Sequence, residues 1–199
     1  MSPLEASPLP SRGAPPVASP DSRNLVNGRV HISQYDAKWP YLFKRESEKV
    51  RAALDDRVLL FEHVGSTAVP GMAAKPCVDL LLVVADPADE PSYLPDLLAA
   101  GYSVVIREPD WYEHRVLKGP DINLNLHVFG EGCEEVERMR LFRDHLIADA
   151  GARERYTAVK RELAERTWDR IQDYADAKTA VVEQLLDEAR ARRTASPDD

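Results

Sequence analysis

A glycine-bounded turn followed by one acid in an apolar run constrains this chain more than any other feature. The turn spans residues 65–71, between Gly65 and Gly71, and the acid, Asp79, stands inside the apolar run 77–84. Glycine permits backbone conformations that a Cβ would penalise, so the pattern predicts a strand, a tight turn and a second, buried strand. A carboxylate in such a strand needs a partner, which can be a metal ion or a cationic side chain.

The length and composition predict one domain. Residues 1–22 of the 199 are rich in Pro and Ser and are expected to form a disordered leader. Residues 23–194 suffice for a single domain with its own core, and residues 195–199 are expected to be a disordered tail. The mean hydropathy of −0.41 is typical of soluble globular proteins. We expect no membrane span and no secretory signal.

The net charge limits the classes of partner that we expect, and the cysteine content indicates the cellular location. The formal net charge is −8 at pH 7, which argues against a nucleic-acid polymer because phosphate backbones need a broad basic surface. A small nucleotide needs only a local basic cluster. The two cysteines, Cys77 and Cys133, form no disulfide framework, so a reducing cytoplasmic location is expected.

Hydrophobic periodicity predicts an α+β chain. Strands are predicted at 59–64, 77–84, 102–106, 113–118 and 122–129, with a further short β segment within 25–34. Helices are predicted at 39–54, 91–100, 134–149, from 153 to at most 174, and at 175–192, with Gly151 as a helix break. The order implies a mixed β sheet flanked by helices, followed by a C-terminal helical layer.

The segment 63–79 resembles the signature of the GrpB family, a branch of the nucleotidyltransferase superfamily. Four further motifs of that family appear in order. They are Tyr35-Asp36-x-x-Trp39-Pro40, Leu126-His127-Val128, Phe142-Arg143-Asp144-His145-Leu146, and the pairs Tyr156/Lys160 and Tyr174/Lys178. The resemblance covers about residues 30–190, nearly all of the predicted domain. It implies a nucleotidyltransferase-like fold.

The resemblance also implies a chemistry. In active members of the superfamily, a Gly-Ser turn holds a triphosphate and several acids hold divalent metal for in-line attack on a phosphoryl group. Gly65, Ser66 and Thr67 stand at the phosphate-binding turn, and Asp79 stands at the first metal-binding acid. Mg²⁺ suits carboxylate and phosphate oxygens.

The chain departs from this pattern at the metal centre. Leu81 occupies the place of the second acid, and residues two apart on a strand share a face, so Leu81 is expected to point beside Asp79. Asn125 replaces the first histidine of the family's His-Leu-His strand. A multi-acid centre is therefore not supported. A single Mg²⁺ on Asp79 and nucleotide phosphates stays open, as does a metal-free site neutralised by Lys75 and arginines.

Each candidate residue has a functional and a structural interpretation. His127 is a candidate general base in the cleft, and Lys75 either stabilises transferred charge or simply pairs with Asp79. His63 is a structural histidine or, less favoured, a zinc ligand with His127 and Asp79. Arg143 binds phosphate or forms an ordinary helix pair with Asp144.

The C-terminal tyrosines and lysines also have a functional and a structural interpretation. Lys160 and Lys178 reach a phosphate while Tyr174 stacks on a base, or each lysine stem packs on the tyrosine four residues before it, Tyr156 or Tyr174.

Two functions follow from these residues. The first is an enzyme that transfers a nucleotidyl or phosphoryl group from ATP, or a similar nucleotide, to an unknown small-molecule acceptor. The second is a non-catalytic module that binds a nucleotide or a CoA-type ligand, or has an accessory role. Fold alone does not choose between them.

Overall fold

Five strands form one mixed sheet. In chain order they are β1 (Leu60–Val64), β2 (Val78–Val84), β3 (Ser103–Glu108), β4 (His114–Lys118) and β5 (Leu124–Gly130). Their order across the sheet is β1-β2-β5-β4-β3. The central pair, β2 and β5, is parallel, and every other neighbouring pair is antiparallel. The predicted α+β class and mixed sheet are confirmed.

The computed structural model describes residue 25 and residues 27–195. The predicted leader, 1–22, and residues 196–199 of the predicted tail lie outside the described residues. The helices are α1 (Trp39–Leu54), α2 (Leu94–Ala99), α3 (Glu134–Ala148), α4 (Ala150–Ala164), α5 (Ile171–Asp176) and α6 (Thr179–Ala195). Within the described ranges, no helix is both long and apolar enough to cross a membrane.

One face of the sheet is covered by α1 and α2. Helix α1 begins at Trp39 with Pro40 in its first turn, where a missing N–H costs no helical hydrogen bond. Its buried positions Val50 and Leu54 recur at helical spacing and pack on the even-numbered residues of β2, such as Leu80. This side holds the main core.

The opposite face carries both the C-terminal helices and the candidate site. Val136 of α3 packs on a second core formed with Leu81, Val83 and Phe129. Asp79 lies on this same face because side chains alternate along β2. Helices α3, α4 and α6 enclose a third core under the turn 65–71, whose buried members are Val69, Met72, Leu146, Ala152, Tyr156 and Leu185.

The break between α3 and α4 differs from the prediction. The helices are separated at Asp149, and Gly151 lies within α4. The Asp149 carboxylate accepts a hydrogen bond from the backbone N–H of Ala152 at 2.9 Å, as an N-cap residue does. Capping by Asp149 therefore outweighs the low helix propensity of Gly151.

Other helix and strand boundaries also differ from the predicted ones. The predicted helix 153–174 ends at Ala164, and residues 171–192 divide into α5 and α6 rather than one helix from 175. The predicted helix 91–100 begins later, at Leu94, after a 3₁₀ turn. The predicted β segment within 25–34 reduces to isolated bridges, one of which pairs Ser33 with Ala74.

Candidate functional site

Asp79 lies on β2 beside two polar residues of β5. Residue pairing places it opposite Asn125, and the Asn125 amide donates a 2.7 Å hydrogen bond to Asp79 Oδ1. The Nε2 atom of His127 lies 3.8 Å from the same oxygen. Burial alone would raise the pKa of Asp79, but the His127 ring, Lys75 and Asn125 outweigh it and hold the pKa at about 2. Asp79 is therefore ionised at neutral pH.

The site is open to solvent at these side chains. The Asp79 and His127 side chains are 28% and 20% exposed. The sequence prediction that His127 faces the cleft beside Asp79 agrees with this placement. Solvent therefore reaches both side chains.

The glycine turn packs directly against Asp79. Gly65 has φ of +70° and is followed by a short 3₁₀ turn that begins at Ser66. A Cβ on Gly65 would lie 2.6 Å from Asp79 Oδ2, so only glycine fits there. The turn and the acid, separated by 14 positions in sequence, form one site.

Lys160 of α4 reaches the turn from the C-terminal layer. Its Nζ donates hydrogen bonds to Ser66 Oγ at 3.0 Å and to the Ala73 carbonyl at 2.7 Å. It also lies 4.8 Å from the centre of the Tyr156 ring. Lys160 is only 3% exposed. Burial, reinforced by Lys178, lowers the pKa of Lys160 to about 7.

Lys178 lies between α5 and α6 and covers the Tyr174 ring, with its Nζ 4.6 Å from the ring centre. Burial lowers the pKa of Lys178, while the negative charge of Asp79 acts against this change. Tyr174 is 2% exposed, which leaves little ring surface for stacking a base. Its buried hydroxyl has no hydrogen-bond partner among the described residues. This hydroxyl is therefore an available donor.

Two more lysines add positive charge near Asp79 and its hydrogen-bond partner Asn125. Lys75 attracts Asp79 electrostatically from the loop before β2. Lys118, at the end of β4, donates to the Asn125 side-chain oxygen at 2.6 Å. One carboxylate thus stands among four lysines, namely Lys75, Lys118, Lys160 and Lys178.

The sequence analysis missed Lys118. Strands β4 and β5 form an antiparallel hairpin in which Leu117 pairs with Leu126, and this register places Lys118 beside Asn125. Both strands were predicted, so pairing them through their short connection could have found it.

Thr67 and His63 make structural contacts. Thr67 is 1% exposed, and its hydroxyl contacts His63 Nε2 at 2.9 Å. The His63 ring stacks on Phe43, on the core face opposite Asp79, and its burial lowers the pKa to about 4. Because its hydroxyl is buried and engaged with His63, the structure gives the predicted contact of the Thr67 side chain with phosphate no direct support. The structural interpretation of His63 is the one that holds, and His63 does not join His127 and Asp79 as a zinc ligand.

Arg143 is held by other partners. Its guanidinium bonds to Glu62 and Asp144 and donates to the His63 carbonyl at 3.1 Å. These contacts fit the structural interpretation of Arg143 and Asp144 as a tie between α3 and β1. The structure gives the predicted phosphate-binding role of Arg143 no direct support.

Leu81 shares a face with Asp79, as predicted, but it does not line the pocket. It is fully buried with Val64, Val83, Phe129 and Val136.

The residues present do not fit a metal centre built by the protein. Within residues 27–195, no group of three His, Cys, Asp or Glu side chains could hold a metal ion. One Asp79 oxygen accepts from Asn125, the other faces Gly65, and the surrounding charges are lysines.

A separate cavity of about 510 Å³ lies at the opposite end of the sheet. Its lining includes Glu113, Glu131 and Glu134. Three acids repel an anion, so this cavity does not compete with the Asp79 site as a place for phosphate.

Comparisons with known proteins agree on one family. The family model described as "GrpB protein" matches residues 29–188. A UPF0157 protein of Halalkalibacterium halodurans is 51% identical over 165 residues, which cover 83% of this chain and 85% of that protein. The crystal structure of the conserved protein GrpB from Enterococcus faecalis has a TM-score of 0.72 at 27% identity, covering 81% of this chain and 98% of that one.

A third relative is larger. Dephospho-CoA kinase of Mycolicibacterium paratuberculosis is 29% identical over 183 residues, which cover 79% of this chain but only 45% of that protein.

Proposed function

Since the chain belongs to the GrpB family, we propose that it binds a nucleotide or a related phosphate-bearing ligand between the Gly65–Ser66 turn and the lysines around Asp79. The observation that carries this proposal is the contact of buried Lys160 with Ser66. A buried ammonium group that lacks a carboxylate partner costs free energy. A phosphate beside Ser66 would supply the missing negative charge.

The neighbouring groups support the same ligand. Lys178 lowers the pKa of Lys160 by repulsion, so an anion between the two lysines would relieve that repulsion. The Tyr174 hydroxyl is buried and lacks a partner among the described residues. Its free donor suits a phosphate oxygen. Lys75 and Lys118 add positive charge on the other side of Asp79.

Turnover is the finer part of the proposal. The resemblance to the nucleotidyltransferase superfamily implies transfer of a nucleotidyl or phosphoryl group to a small-molecule acceptor. In this role His127 accepts the acceptor's proton, Asp79 orients its hydroxyl, and Lys75 and Lys160 neutralise the phosphoryl oxygens. A cytoplasmic location fits a sequence with only two cysteines, Cys77 and Cys133.

The alternative is a non-catalytic module that holds a nucleotide or a CoA-type ligand. The lone acid of β2 and the fully buried Leu81 favour it, because the multi-acid centre of active superfamily members has no counterpart among the described residues. The relative named dephospho-CoA kinase also suggests a ligand that carries the phosphates and nucleotide of CoA.

Magnesium remains a prediction of the sequence. In the arrangement proposed here the lysines neutralise the phosphate, and any Mg²⁺ enters with the nucleotide. Removing the charge of Asp79 distinguishes a phosphate bound by the lysines alone from a nucleotide whose Mg²⁺ is held by Asp79. If the lysines alone bind the phosphate, removing the Asp79 charge strengthens ATP binding, because one repulsive charge is lost. If Asp79 holds Mg²⁺, the same change removes the Mg²⁺-dependent part of binding.

The test measures the melting temperature and ATP affinity of the wild type and Asp79→Asn, each with Mg²⁺ and with EDTA. Asp144→Asn is the matched control, because Asp144 is an exposed carboxylate on α3 paired with Arg143. We expect ATP to raise the melting temperature even in EDTA. No shift with any nucleotide at millimolar concentration would reject the proposal.

A second measurement separates the enzyme from the binding module. Labelled ATP is incubated with the protein for hours, and pyrophosphate and ADP are quantified. Release that disappears in Asp79→Asn supports turnover, whereas binding without release supports the module.

A further inference from the structure

Four polar side chains form a continuous line across four strands, from the outer strand to the cleft. Glu108 Oε2 on β3 lies 2.7 Å from His114 Nδ1 on β4. His114 Nε2 lies 3.1 Å from His127 Nδ1 on β5. The line ends at Asp79 Oδ1 on β2, 3.8 Å from His127 Nε2. Two carboxylates therefore flank two imidazole rings.

The distances assign the protons when both rings are neutral. Glu108 is a carboxylate acceptor, so the 2.7 Å contact requires a proton on His114 Nδ1. His114 Nε2 is then an acceptor, and the 3.1 Å contact requires a proton on His127 Nδ1. His127 Nε2 is left with a lone pair. The 3.8 Å distance from Nε2 to Asp79 is too long for a hydrogen bond, so Asp79 does not require a proton on Nε2 in this neutral state. The part of the low Asp79 pKa that is due to His127 belongs to the protonated ring.

We propose that Glu108 and His114 are positioning residues that fix the tautomer of His127, so that its Nε2 lone pair faces the cleft beside Asp79. The inference rests on the proposed function only in that a hydroxyl-bearing acceptor enters this cleft. The hydroxyl proton then moves from the acceptor oxygen to Nε2 and leaves the electron pair on oxygen. The resulting imidazolium keeps its Nδ1–H bond to His114 and gains Asp79 as a counter-charge.

Packing holds the line in place. His114 is 3% exposed, and its ring stacks on Phe129 with the centroids 4.4 Å apart. The edge of Trp111 closes another side at 5.1 Å. Glu108 and His114 are also paired residues in the β3–β4 ladder. A buried ring with fixed neighbours can impose one tautomer on His127, which a solvated histidine cannot do.

The test is ¹⁵N NMR of histidine-labelled protein at a pH where His127 is neutral, since the ring-nitrogen shifts report the tautomer directly. In the wild type we expect the proton on Nδ1 of His127. In Glu108→Leu we expect it to move to Nε2, because the carboxylate that holds the His114 proton on Nδ1 is removed and His114 can donate from its own Nε2. Glu113→Gln is the control, since it removes a neighbouring charge that bonds to Arg115 rather than to His114.

His114→Phe gives a second route to the same answer. It keeps the stack on Phe129 and removes the acceptor for His127, so the Nε2–H tautomer is again expected. A wild-type His127 protonated on Nε2, or a tautomer unchanged in both Glu108→Leu and His114→Phe, would overturn the inference.

The NMR result does not depend on nucleotide binding, so failure of the proposed function and failure of this inference are distinguishable. Where ATP turnover is detected, kcat of Glu108→Leu should fall by about tenfold or more with little change in KM.

Discussion

The backbone of Gly65 lies so close to Asp79 that a Cβ would stand 2.6 Å from the carboxylate oxygen Oδ2. The turn and the acid are therefore locked in one geometry, and Ser66 is held at a fixed position beside the acid. Gly71, at the other end of the turn, shares the positive φ, at +76°, but a Cβ there would meet no described atom within 4 Å. A comparison of substitutions at the two glycines therefore distinguishes the cost of backbone strain from the cost of the steric contact with Asp79.

We predict that Gly65→Ala is more destabilising than Gly71→Ala. Both changes force alanine to a positive φ, at a cost of about 1–3 kcal/mol. Gly65→Ala also drives a methyl group into Asp79 and should cost about 1–3 kcal/mol more. Urea denaturation measures both values. ATP affinity should fall for Gly65→Ala alone. Equal stability losses would show that the contact with Asp79 relaxes freely.

A second prediction concerns the energetic cost of Lys160. Lys160→Met retains most of the side-chain volume and removes a buried charge that has no carboxylate partner among the described residues. We expect the free energy of unfolding at pH 6 to rise by about 1–3 kcal/mol, after allowance for the lost bond to Ala73. Phosphate binding should be lost in the same variant. Stability gained at the expense of binding identifies a residue kept for function.

Lys44→Met is the matched control, because Lys44 is exposed on α1 and the change in net charge is the same. It should alter neither property. A marked loss of stability in Lys160→Met would instead assign Lys160 a structural role, through its bonds to Ser66 and Ala73.

The pH dependence of anion binding gives a third prediction. In the protein without a bound anion, burial lowers the pKa of Lys160 to about 7. A bound anion favours the protonated lysine, so affinity is constant below pH 7 and falls as the pH rises above it. The decrease should approach about tenfold per pH unit. Sulfate is the suitable probe for calorimetry, since its own charge does not change over this range. Lys160→Met should show no measurable sulfate binding at any pH in this range, and a flat wild-type profile would contradict the prediction.

The sequence predicted the sheet well because its strands are continuous apolar runs or clean alternations. The run around Leu80 and the alternation around Leu126 each admit one interpretation. Helix ends were less accurate, because they depend on local competition. Asp149 capped α4 two residues before Gly151 could break it. Hydrophobic periodicity does not indicate whether a capping residue or a helix breaker determines where a helix begins.

The site was predicted in part for a similar reason. The closeness of Ser66 and Asp79 follows from one strand–turn–strand unit, which is local in sequence. The contact of Lys160 with Ser66 joins residues 94 positions apart and was not predicted, since the family resemblance implied only that Lys160 or Lys178 reaches a phosphate. The buried hydroxyl of Thr67 and the ion pairs of Arg143 depend on tertiary packing, which composition and spacing do not reveal.

The place of Leu81 gives the last prediction. The resemblance implies a second metal-binding acid at this position, and a simple expectation is that Leu81→Asp would create a magnesium site. The structure opposes this, because Leu81 is fully buried among Val64, Val83 and Phe129. An aspartate there would lack partners and should cost about 3–5 kcal/mol of folding free energy.

Leu81→Asn separates charge from polarity, since it has nearly the same shape as aspartate and cannot ionise. We expect both variants to be destabilised, Leu81→Asp more than Leu81→Asn, and neither to be rescued by Mg²⁺ in thermal denaturation. Stabilisation of Leu81→Asp alone by millimolar Mg²⁺ would show that the strand can turn this position toward Asp79. The present site would then be a metal centre lacking one acid rather than an anion site built from lysines.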